Sequence, residues 1–565
     1  MLKIIYTKND KKILFRDKEE DLYKSIKNIS IDNIAFQFLN QIENQNIEGL
    51  NLEDFYVYDN IPLYYFERPT IYLKLKYILT SFMIIKNTIE NTNEEVEVIS
   101  DDEIFIELSE KVFNINCSNA NVEKENSGSS INKFKLFKRA INGIGSYIKF
   151  KLNSINSRCN IIVLSNVINI NLIKLKDKKQ LVDTQIGPLV DSLDKKYNII
   201  NFQFMSSYNY LDKSLAYERS FVPFEFFIIY KKLFGKKVVN PSLINNKLEL
   251  LEKLNLDFQG HNLKDIFMKH VFSNLENRYY MSLTEILCAE KFIVKNRITK
   301  LFVTDEGDRP RCFITAGNRM GIKTYALQHG IINEVSSAYM INSKYKGIVP
   351  KLTFLWGDKY KDMLLKGANV YSDSITKVVG QLRTDLILGY NKNEEKDADK
   401  IKILYATQYF KDLLIPATDM LFKALNLINR EYEVIIKLHP ADEFYEIYNE
   451  KIQEYGIKNV KILKDGDLYE LLSWSDVVVS VHSTVVVEGA ILNKPSICIR
   501  LPKYDDLGGF IKDGISLGAK DEEELGDYLD NLEVYSKNNE FIKYLENNFY
   551  KIDGKVNERI MNEVD

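Results

Sequence analysis

The chain has 565 residues, of which 45% are hydrophobic, 27% charged and 12% aromatic, with only 25 Gly and 11 Pro. This balance excludes a mini-protein and a largely disordered chain, and the length predicts two to four domains of roughly 150 residues each. The formal net charge of -3 argues against a nucleic-acid partner, which normally requires a basic surface. We therefore expect a folded protein that binds any anion at a local site.

Cysteine usage and the N-terminus bear on the cellular compartment. The five Cys are scattered and form no Cys-x-x-Cys pair, which indicates neither a disulfide framework nor a zinc site. Residues 1–8 become charged too early for a secretory signal. The longest apolar stretch, 221–230, is about half of the ~20 residues that span a bilayer. The sequence predicts a cytoplasmic protein without a transmembrane helix.

Residues 1–113 carry no motif that can be tied to chemistry, so we predict only an N-terminal module of unknown role. Residues 114–158 are predicted to form a linker followed by a basic amphipathic segment, because an Asn- and Ser-rich run precedes lysines interleaved with large apolar residues. Such a segment is typical of helices that dock on anionic lipid, but also of ordinary solvated helix faces. Peripheral contact with the inner face of the cell membrane and a solvated face both remain open.

Strand-like and helix-like segments alternate after this linker, as in parallel sheets with crossover helices. We predict a first unit over 159–345, with a helix at 187–195 and strands at 160–164, 198–204, 300–304 and 323–327. A second unit over 346–565 has predicted strands at 353–356, 375–379, 402–405, 433–438, 476–481 and 496–499. The sequence therefore predicts an α/β protein whose second unit is a compact doubly wound domain.

Polar residues follow two strands of the first unit. Asp305 and Glu306 come directly after the strand at 300–304, and His329 follows the strand at 323–327. Ligands of open parallel sheets bind beyond the carboxyl ends of the strands. One of the two carboxylates, or His329, could therefore act as a general base. A solvated acidic loop and a structural His fit the same pattern.

Two nitrogen donors stand at the end of a strand in the second unit. Because strand side chains alternate with period two, Lys437 and His439 lie on one side of the strand that Pro440 ends. Such a pair could hold a phosphate group. The alternative is a surface His beside a turn proline.

A hydroxyl pair follows another strand of the second unit. Ser483 and Thr484 stand at the start of a helical pattern, where free N–H groups and the helix dipole favour an anion. Glu488 lies one turn further along the same helix face and could accept hydrogen bonds from ribose hydroxyls. The alternative is an ordinary helix cap with a surface Glu.

Six short motifs follow one another in a recognisable order. They are DEG at 305–307, ALQHG at 326–330, FLWGDKY at 354–360, VVGQLRTD at 378–385, KLHP at 437–440 and HSTVVVEGAILNKP at 482–495. With them, the region 300–520 resembles bacterial GT-B glycosyltransferases of surface polysaccharide assembly. The likeness is to polysialyltransferase-like enzymes and to the CDP-glycerol glycerophosphotransferases of teichoic acid synthesis. It implies two Rossmann-like domains facing across a cleft, with the N-terminal module as an addition.

The resemblance also implies roles for individual residues. In the sialyltransferases the base lies in the motif that falls on 305–306, His439 matches a contact to cytidine monophosphate, and the hydroxyl pair at 483–484 matches a phosphate contact. In the teichoic acid enzymes the base motif falls on His329 instead. The donor nucleotide is expected mainly on the C-terminal domain.

We therefore expect a metal-independent, inverting glycosyltransferase without a cofactor. It would move a sugar from a nucleotide-activated donor, CMP-linked and of sialic acid or Kdo type, to a hydroxyl of a cell-surface glycan or glycolipid. The first alternative is a CDP-polyol phosphotransferase of teichoic acid type. A nucleotide-sugar epimerase and a non-catalytic nucleotide-binding scaffold of a polysaccharide assembly complex are the others.

Overall fold

The computed structural model describes residues 2–7, 11–15, 18–26, 29–120, 133–155, 159–175, 178–390, 400–439, 441–501, 504–535 and 539–564. The described residues fall into three consecutive segments, before residue 121, between 133 and 390, and after 399. Within the described ranges, no helix combines the length and the apolar character needed to cross a membrane.

The N-terminal segment contains seven strands and three α-helices. They are β1 (Leu2–Tyr6), β2 (Lys11–Phe15), β3 (Lys18–Asp21), β4 (Tyr56–Tyr58), β5 (Ile61–Pro62), β6 (Val96–Ser100), β7 (Cys117–Asn119), α1 (Ile31–Glu43), α2 (Arg68–Glu90) and α3 (Glu103–Glu107). Five of the strands form one sheet in the order β3-β2-β1-β6-β7. Phe82 of α2 is fully buried in the same continuous core as Leu283 of the middle segment. The two segments therefore pack as one body.

The described part of the middle segment contains twelve strands and nine α-helices, and seven of the strands form a parallel sheet. Its strands are β8 (Asn160–Asn166), β9 (Ile170–Leu175), β10 (Lys178–Asp183), β11 (Asn198–Phe204), β12 (Val222–Pro223), β13 (Ile244–Asn246), β14 (Asp257–Phe258), β15 (His261–Asn262), β16 (Ile298–Val303), β17 (Lys323–Leu327), β18 (Leu352–Leu355) and β19 (Thr376–Val378). Its helices are α4 (Lys133–Asn153), α5 (Gly187–Asp194), α6 (Leu211–Ala216), α7 (Phe224–Phe234), α8 (Lys264–His270), α9 (Leu275–Lys295), α10 (Asp308–Arg319), α11 (Asp358–Gly367) and α12 (Leu382–Ile387). The sheet has the order β12-β11-β8-β16-β17-β18-β19, and β13 pairs with β4 of the N-terminal segment.

The C-terminal segment carries a second parallel sheet, of six strands. Its strands are β20 (Lys400–Ala406), β21 (Glu431–Lys437), β22 (Val460–Leu463), β23 (Val477–Ser480), β24 (Ser496–Ile499) and β25 (Leu517–Ala519). Its helices are α13 (Lys411–Leu427), α14 (Tyr445–Tyr455), α15 (Leu468–Trp474), α16 (Val485–Ile491), α17 (Glu522–Asp530), α18 (Leu532–Tyr535), α19 (Asn539–Phe549) and α20 (Val556–Val564). The sheet order is β22-β21-β20-β23-β24-β25. Counted along the chain this is 3-2-1-4-5-6, the Rossmann order, which confirms the predicted α/β architecture.

The observed boundary between the two parallel sheets differs from the predicted one at residue 346. β18 pairs with β17, and β19 pairs with β18, so both belong to the first sheet and the second sheet begins only at β20. The final helix, α20, also returns to the first sheet. Its residues Val556, Ile560 and Val564 pack in one apolar cluster with Ile161 and other residues of the first sheet. The chain thus crosses between the two parallel units twice.

Candidate functional site

A cavity of about 320 Å³ lies between the two parallel sheets. Loops after β8, β17, β18 and β19 reach it from the first sheet, and α16 and α19 reach it from the C-terminal segment. Its polar lining residues are Asn169, Asn171, Gln185, His329, Gln381, Arg383, Thr484 and Glu488, with Trp356, Tyr360, Tyr544 and Phe549 as aromatic neighbours. Because ligands of doubly wound sheets bind beyond the strand carboxyl ends, this cavity is the candidate site.

His329 is held at the cavity by the residue before it. The buried Gln328 amide accepts a hydrogen bond from the Trp356 N–H at 2.9 Å and donates one to the Gly330 carbonyl at 2.8 Å. These two bonds tie the loop after β17 to the end of β18. The His329 side chain is exposed to the cavity. The structure therefore presents an accessible imidazole on a fixed backbone.

The two predicted carboxylates have different surroundings. Asp305 is partly buried, and its Oδ1 accepts the Gly307 N–H at 2.7 Å. Burial raises the pKa of Asp305, while the Gly307 N–H and the positive charge of a nearby His329 lower it. The two side chains thus interact electrostatically, although Asp305 does not line the cavity.

Glu306 points into the protein core instead. Its carboxylate is 1% exposed and accepts hydrogen bonds from Thr353 at 2.9 Å and from Tyr371 at 2.6 Å. Burial raises the pKa of Glu306, and the hydrogen bond from Tyr371 and the Arg311 charge lower it. With both carboxylate oxygens occupied by core hydroxyls, Glu306 has no open path to an acceptor in the cavity.

Thr484 and Glu488 line the cavity together, one helical turn apart. Thr484 is the exposed N-cap of α16, and Ser483 Oγ accepts the Val485 N–H at 3.3 Å. Glu488 is only 7% exposed, and its Oε1 is bonded to the Arg383 guanidinium. Its Oε2 is buried without a hydrogen-bond partner. A buried carboxylate oxygen with a free acceptor site is suited to a ligand hydroxyl.

Arg383 is a site residue that the sequence analysis did not single out. It lies in α12, just after the last strand of the first sheet, and reaches across to Glu488 of α16. Its Nε is buried without a hydrogen-bond partner. The signal available in the sequence was its place in the VVGQLRTD motif, which also carries Gln381 of the cavity wall. A cation at this point can bind or balance the phosphates of a nucleotide.

His439 lies at the same edge of the C-terminal sheet but not in the cavity wall. Its Nδ1 accepts the Ala441 N–H at 3.1 Å, and its ring stands 4.8 Å from that of Tyr409. Burial lowers the pKa of His439, and the Asp442 charge raises it. The neutral ring therefore carries its proton on Nε2, which can donate to an anion. Pro440 lies outside the described residues.

Lys437 does not join this group. Its Nζ donates to the Leu438 carbonyl at 2.9 Å and to the Lys464 carbonyl at 2.6 Å. Burial lowers the pKa of Lys437. Two of its three N–H donors are thus committed to the backbone, which leaves the predicted convergence of Lys437 and His439 on one phosphate without geometric support.

One group of possible metal ligands occurs among the described residues, away from the cavity. Glu103, Glu107 and His270 place one ligand atom each within 4.8 Å of one another. The Lys269 ammonium already contacts both carboxylates at 2.5 Å, and His270 Nε2 lies 3.0 Å from Glu107. This arrangement is a charge-compensated surface cluster.

Two sequence comparisons match part of the chain. Residues 377–565 match the family model described as CDP-Glycerol:Poly(glycerophosphate) glycerophosphotransferase. Over 114 residues the chain is 30% identical to the teichoic acid glycerol-phosphate primase of Bacillus subtilis (strain 168). That alignment covers 19% of this chain and 29% of the relative, so the match spans less than a third of the relative's length.

Two solved structures align with most of the chain at low sequence identity. A UDP-GlcNAc 2-epimerase from Neisseria meningitidis bound to UDP-GlcNAc has 12% identity and a TM-score of 0.46, covering 72% of this chain and 99% of that chain. A variant of the wall teichoic acid polymerase TagF soaked with CDPG has 12% identity and a TM-score of 0.40, covering 76% and 97%.

The sequence matches decide between two expectations. They support the CDP-polyol alternative better than transfer of a CMP-linked sugar, and they give no support to the polysialyltransferase-like part of the resemblance. Residues 377–565 are therefore similar to CDP-glycerol:poly(glycerophosphate) glycerophosphotransferases.

Proposed function

We propose that the protein transfers a polyol phosphate, such as glycerol phosphate, from a cytidine diphosphate-linked donor to a hydroxyl of a cell-wall polymer. The observation that carries the proposal is that His329 of the first sheet and the Arg383–Glu488 pair line one cavity. A proton acceptor and a nucleotide-binding set thus face the same space. The match of residues 377–565 supports the cytidine diphosphate-linked class of donor.

Arg383 and residues of the C-terminal segment account for donor binding. Glu488 Oε2, which is buried without a partner in the protein, accepts a ribose hydroxyl. The exposed hydroxyl of Thr484 and the Arg383 guanidinium bind the diphosphate. His439, which follows β21 at the same edge of the sheet, adds an Nε2–H donor. Together these groups stabilise the negative charge that develops on the departing phosphate.

The first-sheet residues account for the transfer itself. The acceptor hydroxyl oxygen attacks the phosphorus that carries the polyol, and a new P–O bond forms. The bond from that phosphorus to the bridging oxygen breaks, so that cytidine monophosphate leaves with the electron pair. His329 takes the acceptor proton, and the Asp305 carboxylate stabilises the imidazolium that results. Asp305 thus acts through His329, and Glu306 maintains the core beneath them.

A turnover panel tests this proposal. We would incubate the protein with an oligo(glycerol phosphate) acceptor and either CDP-glycerol or a CMP-linked sialic acid, and measure released CMP. Acceptor-dependent CMP release from CDP-glycerol alone is the expected result. Release from the CMP-linked sugar alone would restore the glycosyl transfer hypothesis.

Variants assign the base in the same assay. His329→Gln should abolish transfer without weakening nucleotide binding, because the residue faces the acceptor and not the nucleotide. The matched control is Glu334→Gln, an exposed residue that follows in the same loop. A fully active His329→Gln enzyme together with an inactive Asp305→Asn enzyme would transfer the base role to Asp305.

A further inference from the structure

Helix α4 exposes a continuous apolar stripe to solvent. Its members are between 49% and 75% exposed and recur every three or four residues: Phe134, Phe137, Ile141, Ile144, Ile148 and Leu152. At 100° per residue they fall within an arc of about 80°, and from first to last they span about 27 Å. A surface of this length and width is well beyond the scattered apolar side chains of an ordinary protein surface.

The opposite face of α4 fixes this orientation. Arg139 is 2% exposed and donates to the Ser214 hydroxyl at 3.0 Å and to the Gln203 carbonyl at 2.9 Å. At Gly143 a Cβ atom would lie 2.1 Å from Cδ of Pro223, so the helix contacts the edge strand β12 directly. The helix cannot rotate to bury its stripe without breaking these contacts.

The charged residues of α4 itself are all basic, while Asp212 of α6 and Glu225 of α7 pair with Lys135 and Arg139. Residues 133–155 contain five Lys and one Arg but no Asp or Glu. Lys138 and Lys149 are exposed along one side of the stripe, and Lys133 is exposed on the other. A second exposed group lies on and just after α7, which begins directly after β12: Ile229, Leu233 and Phe234 with Lys232, Lys236 and Lys237.

We propose that this face of α4 docks flat on an anionic lipid surface. Its apolar stripe enters the boundary between headgroups and acyl chains, while the flanking lysines bind the anionic headgroups. Charge complementarity favours this occupant over a second copy of the chain, because a symmetric pair would bring like-charged lysine rows together. The inference stands on the surface alone and does not depend on the proposed chemistry.

Vesicle flotation tests the docking. The full chain should float with vesicles of equal phosphatidylglycerol and phosphatidylcholine, but not with pure phosphatidylcholine, and should dissociate partly at high salt. The double variants Phe137→Ser/Ile148→Ser and Lys138→Glu/Lys149→Glu should each lower partitioning at least about tenfold. The matched control is Leu73→Ser/Val534→Ser, which removes equally exposed apolar residues elsewhere. Circular dichroism and melting temperature would verify that each variant is folded.

A fluorescence probe gives a positive signal that does not depend on loss of function. The chain has only two Trp, so Ile144→Trp adds a readable reporter to the stripe. Its emission should shift to the blue with anionic vesicles, whereas Leu73→Trp should not shift. Flotation that is unchanged in both double variants, or no blue shift at residue 144, overturns the proposal. A wild-type dimer that Phe137→Ser/Ile148→Ser converts to monomers would assign the stripe to a second copy instead.

Discussion

The change Glu488→Gln tests the nucleotide site through a single oxygen atom. Glutamine keeps the shape of the side chain but removes the charge on the buried Oε2, which has no partner within the protein. A hydrogen bond from a ligand hydroxyl to a buried carboxylate contributes about 1.5–3 kcal/mol, which corresponds to roughly 10- to 150-fold in affinity. We therefore expect the dissociation constant for CMP to rise by about that factor.

The assay is isothermal titration calorimetry with CMP and with 2′,3′-dideoxy-CMP. The wild-type protein should prefer CMP by roughly 10- to 150-fold, and Glu488→Gln should reduce the preference to within about threefold. The matched control Glu433→Gln removes a carboxylate on β21 that pairs with Lys400 outside the cavity, and should retain the preference.

The stability of the variant must be followed because Arg383 loses its counter-charge. Breaking a buried ion pair costs about 3–5 kcal/mol, and we expect the lower end here because Arg383 and Glu488 are partly accessible. The double change Arg383→Met/Glu488→Gln removes the whole pair and should recover part of that loss. Equal weakening of both nucleotides by Glu488→Gln would refute a ribose contact.

Three further predictions test other parts of the structure. Asp305→Asn should lower kcat with little change in nucleotide affinity. Rapid-quench kinetics would measure kcat and titration would measure the affinity. A wild-type kcat would exclude a role for Asp305 beside His329. Burial raises the pKa of Asp308 to about 6 from 3.8, a difference equivalent to at most about 3 kcal/mol. A carboxyl group with a raised pKa in the folded state destabilises the fold as pH rises from about 4 to 6. In urea unfolding, Asp308→Asn should therefore be about 1–2 kcal/mol more stable than wild type at pH 8 and equal to it near pH 4. A gain in stability that is independent of pH would contradict this prediction. In Gly357→Ala the new Cβ would lie 2.2 Å from the Asn547 carbonyl oxygen, so thermal melting should show that the free energy of unfolding falls by about 1–3 kcal/mol. An unchanged melting temperature would contradict this, because it would mean that α19 shifts without cost.

The strands were largely predictable because buried parallel strands are continuous apolar runs. The predicted strand at 496–499 is observed as Ser496–Ile499, and the one at 402–405 lies within Lys400–Ala406. The helix predicted at 187–195 is observed as Gly187–Asp194. Local pattern was sufficient for these elements.

Long-range pairing was not predictable in the same way. The sequences of β18 and β19 indicate strands, but no local sequence pattern indicates that these strands extend the first sheet instead of starting the second. The N-terminal segment carries no recognisable motif, yet its β4 pairs with β13 of the middle segment. Local patterning specifies an element, whereas sheet membership depends on partners far along the chain.

The candidate site was predictable in part for a related reason. His329 follows β17 of the first sheet, Thr484 follows β23 of the second with Glu488 one helical turn further, and all three line the cavity. Glu306 occupies an equivalent place in the sequence, yet Thr353 and Tyr371 bind it in the core. Adjacent carboxylates cannot be assigned to core or cavity until their neighbours in space are known.

Transfer of phosphorus is the central claim, and an isotope label tests it directly. CDP-glycerol labelled with ³²P at the phosphate next to the glycerol would be incubated with the protein and an oligo(glycerol phosphate) acceptor. The account predicts that the label moves to the acceptor while unlabelled CMP is released. Label that stays entirely with the nucleotide while a CMP-linked sugar reacts with the acceptor would contradict it.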